Sequence, residues 1–288
     1  WREDCGCNSG RAGWNQKWRR PLRDALDWLR DQVALALEHV GGILFKDPWA
    51  ARDAYIDVLL GGDPAREEFL KKHAAHPLSA EERVRALSVM EMARHAMLMF
   101  TSCGWFFDEL SGIETVQCMQ YAARVAELIE SVGGEPVEPE LVDRLSAAHS
   151  NIADEGDGRQ VWQRRVRPAK IDSGKVAAHI AVRTLVEPDS ARIIDVHGFR
   201  CEILDRAERR SGRARMVAAT VIVRSVLTEA STRLCFAGLY LGDQHVTGGV
   251  RPTPAPPDLA AIVEELTSSL KTGDVFAAQR AIDRHFPG

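Results

Sequence analysis

Met216-Val217-Ala218-Ala219-Thr220-Val221-Ile222-Val223-Arg224-Ser225-Val226 is the stretch on which the fold class turns. It is short, apolar and rich in β-branched residues, so it reads as a strand. Three further runs after Pro188, at 193–196, 199–204 and 233–241, share its enrichment in Val, Ile, Thr and aromatics. Breaks such as Ser211-Gly212 separate them. Together they predict a small antiparallel β unit. Leu241-Gly242-Asp243-Gln244-His245 reads as a polar turn after the last strand. Asp243 and His245 are there either ordinary turn residues or a pair facing a ligand. A proline-rich connector follows at 252–257, and helices are expected at 258–270 and 274–286.

Before Pro188 the apolar period is helical. Leu22, Leu26, Leu29, Val33 and Leu37 recur at three- and four-residue steps, up to a stop expected at Gly41-Gly42. Asp47-Pro48 offers an N-cap followed by a first-turn proline, for a helix whose face carries Ala51, Tyr55, Val58 and Leu59. Gly61-Gly62 closes it, and Asp63-Pro64 opens a short charged helix through Phe69 and Leu70. Ser79 with Glu82 forms a capping box for a long helix into Phe100. Met90, Met92, Met97 and Met99 on that helix read as adaptable core. Val116, Met119, Ala123, Ala126 and Ile129 mark the next face, ended by Gly133-Gly134. Helices from Pro139 and over 161–167 and 176–185 follow, with Trp162 and His179 expected to point inward. The predicted fold is α+β: a mainly helical bundle, then a small antiparallel β-sandwich-like unit, then C-terminal helices. The expected domains are 1–187, with an irregular N-terminal loop, and 188–288.

Composition narrows the function. The chain has 288 residues, 45% of them hydrophobic and 27% charged, values ordinary for a globular protein of about two domains. A net charge of −4 gives no electrostatic footing for nucleic acid or an anionic membrane. No apolar run reaches membrane-spanning length. Six cysteines in a chain this long do not make a disulfide scaffold, so a reduced, cytoplasmic setting is expected. Cys5-Gly6-Cys7 lacks the two-residue spacing of a zinc loop. Even with Cys103 joining them in space, free thiols are expected rather than a metal site. There is no P-loop, dinucleotide fingerprint or serine-nucleophile elbow, and no cofactor is expected.

Between two helical patterns, Arg83 to Phe100 and Ile113 to Ile129, stands Ser102-Cys103-Gly104-Trp105-Phe106-Phe107-Asp108-Glu109-Leu110-Ser111-Gly112-Ile113-Glu114. Gly104 reads as the break after the first helix, and Ser111 with Glu114 as the capping box of the second. Two readings stay open. The aromatics fill core and the acids favour the helix N-terminus through its dipole. Alternatively, a ring packs on the apolar face of a sugar while adjacent carboxylates accept hydroxyl hydrogen bonds.

Four motifs carry a resemblance. They are Trp1-Arg2-Glu3-Asp4-Cys5-Gly6-Cys7, Phe100 to Asp108, Ser111-Gly112-Ile113-Glu114-Thr115, and Leu241-Gly242-Asp243 with Gly248-Gly249-Val250-Arg251. They resemble the uncharacterised C-terminal domain attached to glycoside hydrolase family 57 proteins, the α-amylase and α-mannosidase-like group, over essentially the whole chain. The departure lies after Asp243, where a histidine is expected and Gln244 precedes His245.

The resemblance implies a catalytic β/α barrel N-terminal to Trp1 in the same polypeptide, so that this chain is a fragment expected to be inactive alone. A retaining glycosidase holds its two carboxylates about 5 Å apart across the scissile bond. Asp108 and Glu109 are sequence neighbours and are not taken as that pair, so the catalytic residues are unknown. The implied role is an accessory region of an α-glucan-active enzyme, with Trp105, Phe106, Asp108, Glu109, Trp1 and Arg2 contacting an α-glucan or related oligosaccharide. The alternative is an interaction module that stabilises the barrel without touching sugar. Exposure of Trp105 separates the two. The N-terminal loop is expected to fold against the Cys103–Glu109 junction and to leave Trp105 partly exposed.

Overall fold

A computed structural model describes residues 1–7, 10–187, 191–242, 245–253, 257–271 and 274–287. The chain forms two compact units, Trp1–Lys170 and Ile171–Gly288.

In the first unit, α1 (Arg19–Ala36) buries the Leu22, Leu26, Leu29 and Val33 stripe. The stop expected at Gly41-Gly42 does not occur, because both residues keep helical geometry. The chain runs through a π-helical turn, Leu37–Gly41, into α2 (Gly42–Leu44). Gly41 serves close approach instead: a Cβ there would stand 3.0 Å from the Cβ of Pro48. Asp47 caps α3 (Pro48–Ala54), accepting from the backbone N–H groups of Trp49 and Ala50. In α4 (Ile56–His73) Gly62 adopts φ +64°, and the axis kinks where the Gly-Gly pair signals a break. The Ser79–Glu82 capping box is formed at the start of α5 (Ala80–Leu98). Met90, Met92 and Met99 are core, whereas Met97 is exposed.

The short α6 (Cys103–Phe106) then leads to α7 (Ile113–Ser131), whose expected face is wholly buried. Two local expectations change here. Helix α5 ends before Gly104 is reached, and Gly104 lies inside α6. It is needed because a Cβ there would fall 2.2 Å from the Cys118 sulfur on α7. Ser111 does not cap α7 either. Gly112 is the N-cap, and the Ser111 hydroxyl donates to Glu109 instead. Gly104→Ala is therefore expected to force α6 away from α7 and cost about 1–3 kcal/mol, the range for overpacking a filled core. Urea denaturation of the variant beside the parent measures it. α8 (Glu138–Leu145) and α9 (Gly158–Val161) complete the bundle. α9 continues as a π-helical turn, Trp162–Val166, with Trp162 buried and its indole N–H donating to Glu138.

The second unit is a five-stranded antiparallel meander: β1 (Ile193–Val196), β2 (Phe199–Ser211), β3 (Ala214–Ser225), β4 (Ser231–Tyr240) and β5 (Val246–Pro252), in that spatial order. It is a single sheet rather than two packed sheets, and helices cover both faces. On one face α10 (Ser173–Val186) packs Val176, Ile180 and Leu185 against Val217, Val221 and Phe236. On the other, α11 (Leu259–Lys271) and α12 (Val275–His285) cover Met216, Ala218, Ala237 and Leu239. That is why β3 reads as a continuous apolar run.

Because α10 belongs to the sheet's core, the boundary falls between Lys170 and Ile171 rather than at 187. His179 is exposed on α10, its ring 6.3 Å from that of His197 in the β1–β2 turn, and does not point inward. β2 outruns its expected end at 204 because an irregularity between Ile203 and Asp205 interrupts the alternation before a charged second half. β5 lies between the expected turn at 241–245 and the connector that begins at Pro252, where no strand is expected. Glycines weaken a strand's signal, yet both are required. A Cβ at Gly248 would lie 2.5 Å from the Ala237 carbonyl oxygen, and one at Gly249 would lie 2.4 Å from the Phe286 Cβ.

Candidate functional site

The junction after α5 is built around two buried side chains. Trp105 is 2% exposed. It stacks on Phe100 with ring centroids 6.5 Å apart, and the Arg23 guanidinium carbon lies 5.4 Å from its ring centroid. Its exposure is opposite to the expectation. The Gly104 contact that draws α6 onto α7 also turns the next residue into the core. Glu109 is buried too, and its carboxylate is fully engaged. It accepts from the Ser111 N–H at 2.9 Å, the Ser111 hydroxyl at 3.0 Å, the Ser150 hydroxyl at 2.5 Å and the Asn151 N–H at 3.0 Å. This carboxylate ties the 150–152 loop to the junction.

The N-terminal loop folds against the same junction, as expected. The side-chain amide of Gln16 donates to Asp108 Oδ1 at 2.6 Å and to the Cys7 carbonyl. Buried Arg19 donates through Nη2 to the carbonyls of Phe106 at 3.1 Å and Phe107 at 3.4 Å, and through Nη1 to the Cys5 sulfur at 3.6 Å. The Trp1 ring meets Phe106 edge-on at 5.2 Å, and Phe106 meets Phe107 likewise at 5.2 Å. Asn151 completes the seam, donating to the carbonyls of Asn15 and Asp108.

Between these elements opens a groove of about 810 Å³. Trp1, Phe106 and Phe107 stand on it with 59%, 58% and 46% of their surface exposed. Asp108, Arg11, Trp14 and the Arg165–Glu155 ion pair share the lining. The hydrogen bond from Arg165 holds the Glu155 carboxyl below its ordinary range.

Of the residues expected to contact a sugar, the structure brings Trp1, Phe106, Asp108 and Glu109 to one groove. Trp105 does not line it. Arg2 is exposed and pairs with Asp27 of α1 at 2.8 Å, also away from the lining. Gln16 and Arg19 went unnoticed in the sequence, although Arg19 carried a signal. It sits three residues before Leu22 and seven before Leu26, a cation on an apolar stripe. The His245 N–H donates to the Gly242 carbonyl at 3.1 Å, while Asp243 and Gln244 lie outside the described residues.

Among the described residues no three His, Cys, Asp or Glu side chains are placed to hold a metal ion. No helix among them is long and apolar enough to cross a membrane. A second cavity, of about 650 Å³, lies between α10 and strands β4 and β5. Its wall is mostly apolar, with Ala181, Val182, Leu185 and Gly238, and Asp172, Lys175 and Arg251 also line it. In the groove, Glu109 is saturated, Glu155 is paired and Asp108 is held by Gln16. The arrangement is suited to contact and positioning rather than to proton transfer between two free carboxylates.

An α+β chain whose helical unit carries an open aromatic groove, and whose second unit is a helix-covered antiparallel sheet, is the class these observations define. A family model described as a domain of unknown function (DUF3536) matches residues 14–288, and the chain belongs to that family. No curated protein and no solved structure matches it.

Proposed function

We propose that this chain is the accessory region of an α-glucan-active enzyme resembling glycoside hydrolase family 57, in a cytoplasmic setting. In this reading a catalytic barrel of the same polypeptide does the chemistry, and the helical unit contributes a carbohydrate-contacting lip. The observation that carries the reading is the exposed trio Trp1, Phe106 and Phe107 around a groove that also holds Asp108. Aromatic rings open to solvent cover the apolar faces of pyranose units, and a half-buried carboxylate accepts their hydroxyl hydrogens. Trp105 supports the rim from within instead of touching sugar. Its burial favours a second reading, in which the same apolar rim docks on the barrel and meets no saccharide.

Calorimetric titration with maltoheptaose tests the lip. The parent chain is expected to bind it without turnover. Phe106→Ala with Phe107→Ala should weaken binding about tenfold, since each stacking ring contributes about 0.5–1.5 kcal/mol. No heat of binding by the parent chain, or equal affinity in the double variant, favours the docking surface.

A further inference from the structure

The groove's edge carries a feature that sugar contact does not use. Arg19 is 2% exposed, and among the described residues no carboxylate lies within ion-pair distance of its guanidinium. Its Nε has no hydrogen-bond partner among them. A buried cation without a counter-charge is costly. Two of its polar contacts are the neutral carbonyls of Phe106 and Phe107, and the third is the Cys5 sulfur at 3.6 Å, the one of the three groups able to become an anion.

The Cys5 thiol also reaches Gln16, donating to its Oε1 at 3.7 Å until the proton leaves, and a second thiol, Cys7, follows two residues on. Gly6 adopts φ +73°, with its N–H donating to Asp4 Oδ1 at 3.0 Å, and this turn keeps Cys7 on the same exposed loop as Cys5. Gln16 pins the Cys7 carbonyl from the other side. Both thiols are exposed, so a small reagent reaches them.

We propose that Cys5 and Cys7 are a thiol–disulfide exchange site, with Cys5 the attacking thiolate held against Arg19 and Cys7 the resolving thiol. The co-reactant is a small-molecule disulfide, RSSR. The Cys5 thiolate attacks one of its sulfurs, forms Cys5–S–S–R and expels RS⁻. Cys7 then gives its proton to solvent, and its sulfur attacks the Cys5 sulfur and expels the second RS⁻. The sum is one dithiol and one RSSR giving the Cys5–Cys7 disulfide and two RSH, with two electrons passed to the small disulfide. Cys7 and then Arg19 lower the pKa of Cys5, while the interaction with the Cys5 sulfur raises the pKa of Cys7, in keeping with the two roles. Cys201 and Cys235, by contrast, are buried, and burial pushes their thiols up to about 11. Closing the disulfide removes the anion from Arg19, whose other contacts hold the Phe106 and Phe107 backbone, so the state of the pair reaches the aromatic rim.

The test uses the full chain, glutathione disulfide as the probe, and peptide mapping by mass spectrometry. Exposed Cys103 serves as the internal reference thiol. Cys5 is expected to react roughly tenfold faster than Cys103 at neutral pH, and the peptide holding Cys5 and Cys7 to lose two hydrogens. Cys7→Ser should stop at a glutathione adduct on Cys5, while Cys5→Ser should react at Cys7 no faster than Cys103 does. Arg19→Gln should slow Cys5. Both cysteine variants lie at exposed positions, so they decide the matter if the arginine variant does not fold. Equal rates at Cys5 and Cys103, or interchangeable behaviour of the two serine variants, overturns the proposal.

Discussion

Trp105→Ala is expected to remove about 3–5 kcal/mol of folding stability, the range for truncating a fully buried tryptophan. The indole is enclosed by Phe100 and Arg23 and sits on the short helix that Gly104 anchors to α7. Its N–H has no partner among the described residues, so packing rather than a hydrogen bond is lost. Phe106→Ala, one residue on but exposed, should change stability by no more than about 0.5 kcal/mol, as surface substitutions do. Denaturant unfolding of the two variants side by side gives the comparison. Similar small losses in both would mean that Trp105 is not core and that the sugar-facing role passes back to it.

Glu109→Ala should cost about 2–4 kcal/mol, because four donors lose a charged acceptor and two of them are backbone N–H groups. Glu109→Gln keeps the shape and part of the accepting capacity, so its loss should be about half as large. Hydrogen exchange at the amides of Ser111 and Asn151 reports the same event locally, rising sharply in the alanine variant. A loss below about 0.5 kcal/mol would show that the carboxylate is free to serve a ligand.

These two residues also mark where sequence reading succeeds and where it stops. Local chemistry was legible. The Ser79–Glu82 box, the Asp47 cap and the β-branched run of β3 depend on neighbours within a few positions, and all three are formed. The α+β order and the junction were legible in the same way, whereas the folding of the N-terminal loop onto the junction, a contact across about ninety residues, was expected because a glycine-rich loop has little core of its own. What was hidden depends on contacts across the chain. Trp105 turns inward because Gly104 meets Cys118, and Glu109 is consumed by Ser150 and Asn151 some forty residues later. β5 was missed because its glycines answer to Ala237 and Phe286 rather than to strand propensity. Ser111 looked like a cap until Glu109 claimed its hydroxyl.

The contact surface is tested most directly by amide hydrogen exchange of the chain with and without maltoheptaose, read along the whole sequence. Protection confined to residues 1–19, 103–112 and 152–165, which supply the lining of the aromatic groove, is the predicted result. Unchanged exchange throughout, or protection confined to residues 171–288, would contradict a sugar-contacting lip built on Trp1, Phe106 and Phe107.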